Sequence, residues 1–286
     1  MLIYLDTRDL IELLSPNTSI PSQDFGQLLT DTRSCVIFSF ENISELVVVP
    51  DPPETRSRLR QLETLPHQFM LAIPKLRCLE LTNAIRAFDP KQKVAPLDPF
   101  VAHWESTFGY PHERLLGYTL TDVVMELLHK QPGQFQKTKS EQRVLIGAVA
   151  KDRAATDAER RSRARFRGAI LTGLRKCHLV SSVTDPREFA EWAYDNPAEY
   201  PGMSFFNRMY LEYASNSRDV VQSGDHFDFS HAARIPYVDA LTLDRRMRGY
   251  ANQTIRQLQR FPGCDYSGRV FDDLSAVVNA LRSDKT

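Results

Sequence analysis

No apolar run in this chain approaches the roughly 20 residues that span a bilayer, so the sequence predicts no membrane helix. The N-terminus, MLIYLDTRDLIELL, carries neither a basic leader nor a small-residue cleavage site, which argues against secretion and for the cytoplasm. Cysteine is scarce. Cys35, Cys78, Cys177 and Cys264 are scattered without CxxC or zinc-ligand spacing, and free thiols are expected. Excess charge is missing too, because 36 Lys and Arg offset 36 Asp and Glu. Without a global positive field, any nucleic-acid binding must come from local patches. There is no internal repeat or low-complexity segment, and a hydrophobic share of 42% across 286 residues allows a substantial core.

What is present is an alternation of strands and helices at both ends of the chain. LIYLD (Leu2 to Asp6) reads as a buried strand ending on a carboxylate, followed at once by the helical pattern DLIELL. CVIFS (Cys35 to Ser39) repeats the design and runs into a helix carrying Ile43, Leu46 and Val47, which PDPPE closes. The middle is mostly helical, over Glu54 to Leu65, Lys75 to Phe88, Thr119 to His129 and about Thr156 to Cys177. Near the end, a helix from Phe227 through Arg234 leads to VDALTLD, an apolar strand again ending on aspartate, and GRVFDDLSAVVNAL supplies a last strand and helix. Such alternation implies a largely parallel sheet, with ligand chemistry beyond the carboxyl ends of its strands. Asp6 and Asp244 are expected at one edge.

Each acid has a plain reading when taken alone. Asp6 fits a helix cap, and Glu45 fits a solvated group in a first turn. Asp225 and Asp228 share a helical face if that helix starts early, and a short turn and strand then bring Asp228 toward Asp244. Several carboxylates at one sheet edge repel one another, and hard cations such as Mg2+ or Mn2+ relieve that repulsion.

The ordered segments LIYLDT, VIFSFENISEL, DFSHAA and TLD resemble the PIN-domain nuclease family. That resemblance implies an α/β fold: a PIN-like domain with a central, mostly parallel sheet flanked by helices, plus a large helical insertion. On this reading one domain spans the chain, its core at about 1–90 and 205–286 and its insertion at about 91–204. The family's acidic metal positions fall on Asp6, Glu45, Asp228 and Asp244, with Asp225 an additional candidate, and Ser39 and Thr242 match flanking polar residues. The common pattern has asparagine where this chain has Arg8, a residue able to pair with a site carboxylate or a phosphate.

The implied activity is phosphodiester hydrolysis assisted by Mg2+ or Mn2+, on RNA more than DNA, in a toxin or antiphage effector restrained by a protein partner. The rival expectation is a PIN-like nucleic-acid-binding or assembly module without turnover. Oligomeric state is not legible. Between Lys151 and Arg167, Arg160, Arg161, Arg163 and Arg165 either present guanidiniums to a phosphate backbone or form an exposed helix balanced by Asp157 and Glu159. His231, three residues after Asp228, reads as a proton carrier or, more plainly, as a histidine packed beside Ala232 and Ala233. Tyr194, Tyr200, Phe205, Phe206, Tyr210 and Tyr213 could stack on bases, but helical spacing among Phe206, Tyr210 and Tyr213 favours core packing.

Overall fold

Alternate residues of the central strands enter different hydrophobic cores, and this places the sheet at the middle of the molecule. In the computed structural model, which describes positions 1–15, 18–47, 52–89, 91–94, 96–101, 103–104, 117–130, 144, 147–151, 163–222 and 224–283, six strands form one sheet. They are β1 (Leu2–Tyr4), β2 (Cys35–Phe38), β3 (His67–Met70), β4 (Phe100–Val101), β5 (Ala240–Thr242) and β6 (Val270–Phe271), in the order β4-β3-β2-β1-β5-β6. All pairings are parallel except β3 with β4. The expected α/β class with a mostly parallel sheet flanked by helices is therefore observed. One strand of the sheet, β4, falls within the stretch 91–204.

Ile3, Val36, Phe38, Phe69 and Ala240 face one core, shared with α1 (Thr7–Leu13), α2 (Ser22–Asp31), α3 (Phe40–Val47), α4 (Pro52–Thr64), α6 (Leu120–Lys130) and the C-terminal α12 (Leu274–Ser283). Tyr4, Ile37, Met70 and Leu241 face the other, against α9 (Pro201–Ser215), α10 (Asp225–Ala232) and α11 (Arg245–Leu258). A third core lies among helices alone, joining α5 (Ile73–Phe88), α7 (Arg163–Lys176) and α8 (Pro186–Asp195) to Met203 of α9. Of the aromatics at helical spacing, Tyr213 is fully buried and Phe206 and Tyr210 partly so, and all three pack on the Phe229 ring.

Two buried carboxylates lock the helices to one another. Glu41 on α3 pairs with the fully buried Arg234 and accepts from the Ile73 amide at 2.9 Å. Burial alone would raise its pKa, but Arg234 and the amide hold it below the ordinary range. Glu80 on α5 accepts from the Gly202 and Met203 amides at 2.7 and 2.8 Å and from the Tyr237 hydroxyl, so it caps α9 from a neighbouring helix. Only glycine fits at 202, because a Cβ there would lie 2.6 Å from both Ala233 O and Glu80 Oε1.

The expectation of four free thiols does not hold. Cys78 on α5 and Cys177, just past α7, form a disulfide across 99 residues, while Cys35 and Cys264 are free. Sequence spacing misses it because the two sulfurs meet only through the packing of α5 on α7. Among the described residues no helix is long and apolar enough to cross a membrane.

Candidate functional site at the edge between β1 and β5

From β1 the sheet builds one way through β2 and β3 and the other way through β5 and β6. The helix after β1 packs into the first core and the helix after β5 into the second, so the chain diverges beyond these two strands and opens a crevice there. Asp6 and Asp244 stand at that edge as the N-caps of α1 and α11. Asp6 Oδ1 accepts weakly from the Arg8 amide at 3.3 Å, and Asp244 Oδ1 accepts from the Met247 amide at 2.8 Å. Each carboxylate thus spends one oxygen on its helix. The Asp6 amide donates to Thr242 Oγ1 at 2.8 Å, which ties β1 to β5 behind the acids.

Asp228, half-buried on α10, has no hydrogen-bond partner for its carboxyl among the described residues. Burial is the largest influence on it; His231 opposes, and Asp6, Asp244 and Glu45 add repulsion, pushing its pKa up to about 8. All four acids expected from the sequence therefore share one electrostatic field. The Asp6 carboxyl is likewise raised, by burial first and then by Glu45, with His231 pulling the other way.

Glu45 sits in this field but is already engaged. Its Oε2 accepts from Thr7 Oγ1 and faces His231 Nε2 at 2.7 Å. The fully buried His231 then begins a polar chain: Nδ1 to the Tyr4 hydroxyl at 2.8 Å, Tyr4 to Ser39 Oγ at 2.8 Å, Ser39 to Asn42 Oδ1 at 3.2 Å, and Asn42 Nδ2 to Leu5 O at 3.0 Å. The far end fixes the direction of every donor. Asn42 Oδ1 also accepts from the Ser39 amide at 3.2 Å, so its oxygen faces Ser39, whose hydroxyl donates to it. Tyr4 must then donate to Ser39 and accept from Nδ1, and Nε2 facing a carboxylate must also carry hydrogen. Full satisfaction of the chain requires an imidazolium. The charges agree: burial disfavours a cationic His231, but Tyr4, Glu45 and Asp6 outweigh it and raise its pKa well above the ordinary value.

The remaining residues singled out from the sequence are placed as follows. Ser39 and Thr242 position the site from behind, through Tyr4 and Asp6. Asp225 is fully engaged elsewhere: its carboxylate accepts from Tyr213, from Arg246 and from the Gln222 amide at 2.9 Å. Arg8 is half-exposed and pairs with the buried Asp9 at 3.2 Å, within the field of Asp6 and Asp244. Arg163 pairs with Asp195 and, at 3.6 Å, with Glu191, and lies over the Tyr194 ring. Arg165 lines a cavity far from the sheet edge in the chain's topology, between α5, α7 and α9. Arg160 and Arg161 lie outside the described residues.

The sequence favours packing for His231 over a proton carrier or metal neighbour, offers Asn42 only as a residue near its helix start, and does not single out Tyr4 or Asp9. A signal existed for Tyr4, since a tyrosine inside a buried strand needs a partner for its hydroxyl. Among the described residues no three His, Cys, Asp or Glu side chains are gathered so as to hold a metal ion on their own. The donors are nevertheless all oxygens with spare lone pairs on Asp228, Asp6 and Asp244, the chemistry of a hard cation that keeps several waters and takes only one or two protein carboxylates. No family model, no curated protein and no solved structure matches this chain.

Proposed function

We propose that the protein is a PIN-type nuclease that hydrolyses phosphodiester bonds in RNA with the help of Mg2+ or Mn2+. The observation that carries this reading is the carboxyl of Asp228, which no donor among the described residues satisfies and which burial and three neighbouring acids leave in need of a positive charge. Asp228, Asp6 and Asp244 would hold the cation, and a bound cation would activate water and stabilise the leaving oxygen. The chain's own residues do the rest. Thr242 fixes the backbone of Asp6, the two helix caps aim Asp6 and Asp244 across the crevice, and His231 holds Glu45 while its charge moderates the repulsion among the acids. The PIN-like identity rests on the four ordered segments and on this placement of their acids at a topological switch point.

Incubation of the purified chain with RNA and DNA oligonucleotides in Mg2+, Mn2+, Ca2+ or chelator tests the reading. RNA should be cut in Mg2+ and Mn2+, leaving 5′-phosphate and 3′-hydroxyl ends, and left intact in Ca2+, whose longer bonds and looser shell misplace the reacting oxygens. Undiminished cleavage after metal stripping and in excess chelator would sink it.

A second reading has its own observation. Because Thr7 and His231 already occupy Glu45 Oε2, this acid also serves as a structural link between α1, α3 and α10. That favours a nucleic-acid-binding or assembly module without turnover, and its signature is salt-sensitive RNA binding with no cleavage under any metal.

A further inference from the structure

Away from the sheet edge, α5, α7 and α9 enclose a half-open cavity of about 560 Å3, within the range of small-molecule sites. On α7 the lining positions Ala164, Gly168, Ala169, Thr172 and Gly173 are small, so little side-chain volume fills the space beside that helix. Leu81, Phe166, Ile170, Met203 and Leu211 supply an apolar floor, and Asn207 and Tyr210 add polar groups. Arg77, Arg165 and Lys176 stand in the same lining, and among the described residues no carboxylate does.

Arg77 is the telling member. It is half-buried, and among the described residues its guanidinium makes no hydrogen bond and no ion pair. Burial lowers its pKa, and Glu80, one turn further along α5, only partly compensates. Glu80 is itself committed to the amides that start α9. A desolvated cation without a partner is costly, and an anion entering the cavity would relieve that cost. Lys176, on α7, makes no ion pair among the described residues either, and it adds a second positive charge to the lining. The Cys78–Cys177 disulfide joins the residues immediately after Arg77 and Lys176, so the backbone positions that carry the two cations are covalently held near each other.

We infer that this cavity binds a small amphipathic anion, with one carboxylate or phosphate head held by Arg77 and Lys176 and an apolar body laid along Leu81, Ile170 and Met203. It is independent of the nuclease reading, because no group at the sheet edge takes part.

Isothermal titration of the full chain with decanoate, decyl phosphate and decanol tests it and distinguishes the two head groups. One or both anions should bind at a single site, with decanol roughly tenfold weaker or worse, the scale of one lost charge-assisted contact. Arg77→Met should weaken anion binding by about tenfold or more, while Arg77→Lys keeps most of it. Gly168→Phe should abolish binding of all three by filling the cavity; a Cβ at 168 meets nothing within 4 Å, so the helix tolerates a side chain there. Unchanged circular dichroism and melting midpoints establish that the variants fold. Decanol binding as tightly as the anions, no anion binding by the wild type at millimolar concentration, or anion affinity unmoved by both Arg77→Met and Gly168→Phe would each overturn the proposal. So would an Arg77→Met variant that loses RNA affinity while its affinity for the anions is unchanged.

Discussion

Asp225 and Asp228 stand one turn apart on α10, and the helix turns them toward opposite fates. Asp225, 1% exposed, is met by the Arg246 guanidinium, the Tyr213 hydroxyl and a backbone amide. Asp228 is met by other carboxylates and by no donor among the described residues. The same contrast separates whole regions. In the helical layers Glu41 has Arg234 and Glu80 has three donors, whereas at the β1–β5 edge Asp6, Asp228 and Asp244 retain oxygens with no donor among the described residues. A fold that neutralises its buried acids in one region can do so in another, and the deficit at the edge, which His231 relieves only in part, is what the proposed cation would meet.

Replacing the two neighbours in turn breaks this comparison most directly. Asp228→Asn should lower cleavage by more than the roughly 100-fold typical of losing an outer partner of a metal site. It should also raise stability in chelator by about 1 kcal/mol, because it removes repulsion. Asp225→Asn should do the reverse, leaving the activity of folded protein near wild type while costing about 1–3 kcal/mol through weakened contacts to Tyr213, Arg246 and the Gln222 amide. Equal loss of activity in both, at equal folded fraction, would erase the distinction between the two regions.

Next in size is the response to the cation itself. Mg2+ at about 100 times its dissociation constant should stabilise the wild type by roughly 2.7 kcal/mol. In Asp228→Asn the melting midpoint should barely move with Mg2+. A midpoint that climbs equally in both proteins would place the cation elsewhere.

Tyr4→Phe probes the polar chain behind the acids. It removes the acceptor of His231 Nδ1 and the donor to Ser39, leaving two buried groups unsatisfied, at a cost of about 1–3 kcal/mol. With the charge on His231 less supported, the variant's imidazole resonances should titrate at lower pH than in the wild type. An unshifted titration would mean that Glu45 alone holds the proton.

The strands that carry Asp6 and Asp244 were legible because buried parallel strands read as unbroken apolar runs, and because each run passes straight into a helix. β3 escaped notice: HQFM is four residues long and half polar, and it is recognisable only once β2 stands beside it. The helix α11 was readable in principle, since Met247, Tyr250, Ala251, Thr254, Ile255 and Leu258 follow helical spacing, but its many arginines mask the stripe. Partners were the hidden part. Nothing local ties Asp225 to Arg246, Glu45 to His231 or Cys78 to Cys177, because each pair is made by the packing of separate elements. The four acids could be picked out in sequence, but not which of their oxygens were already spoken for.

The smallest effect concerns pH, and it tests whether three donors are enough to settle a buried acid. Glu80 is fully buried, and burial, the largest influence, outweighs Tyr237, the two amides and Arg77, raising its pKa from 4.5 to about 7. Between those values the folded protein therefore binds more protons at this group than the unfolded chain does. Stability must then fall as pH rises through that window, with a slope of roughly 1.4 kcal/mol per pH unit at most, and flatten above about pH 7. Glu80→Gln removes the titration, so its denaturant midpoints, measured in chelator from pH 5 to pH 8, should lose the part of the slope below about pH 7. Asp228→Asn should instead lose slope up to about pH 8, where that carboxyl titrates. A Glu80→Gln profile that runs parallel to the wild type would show that the donors keep Glu80 ionised throughout, and the helical layer would then differ from the sheet edge even more sharply than the geometry suggests.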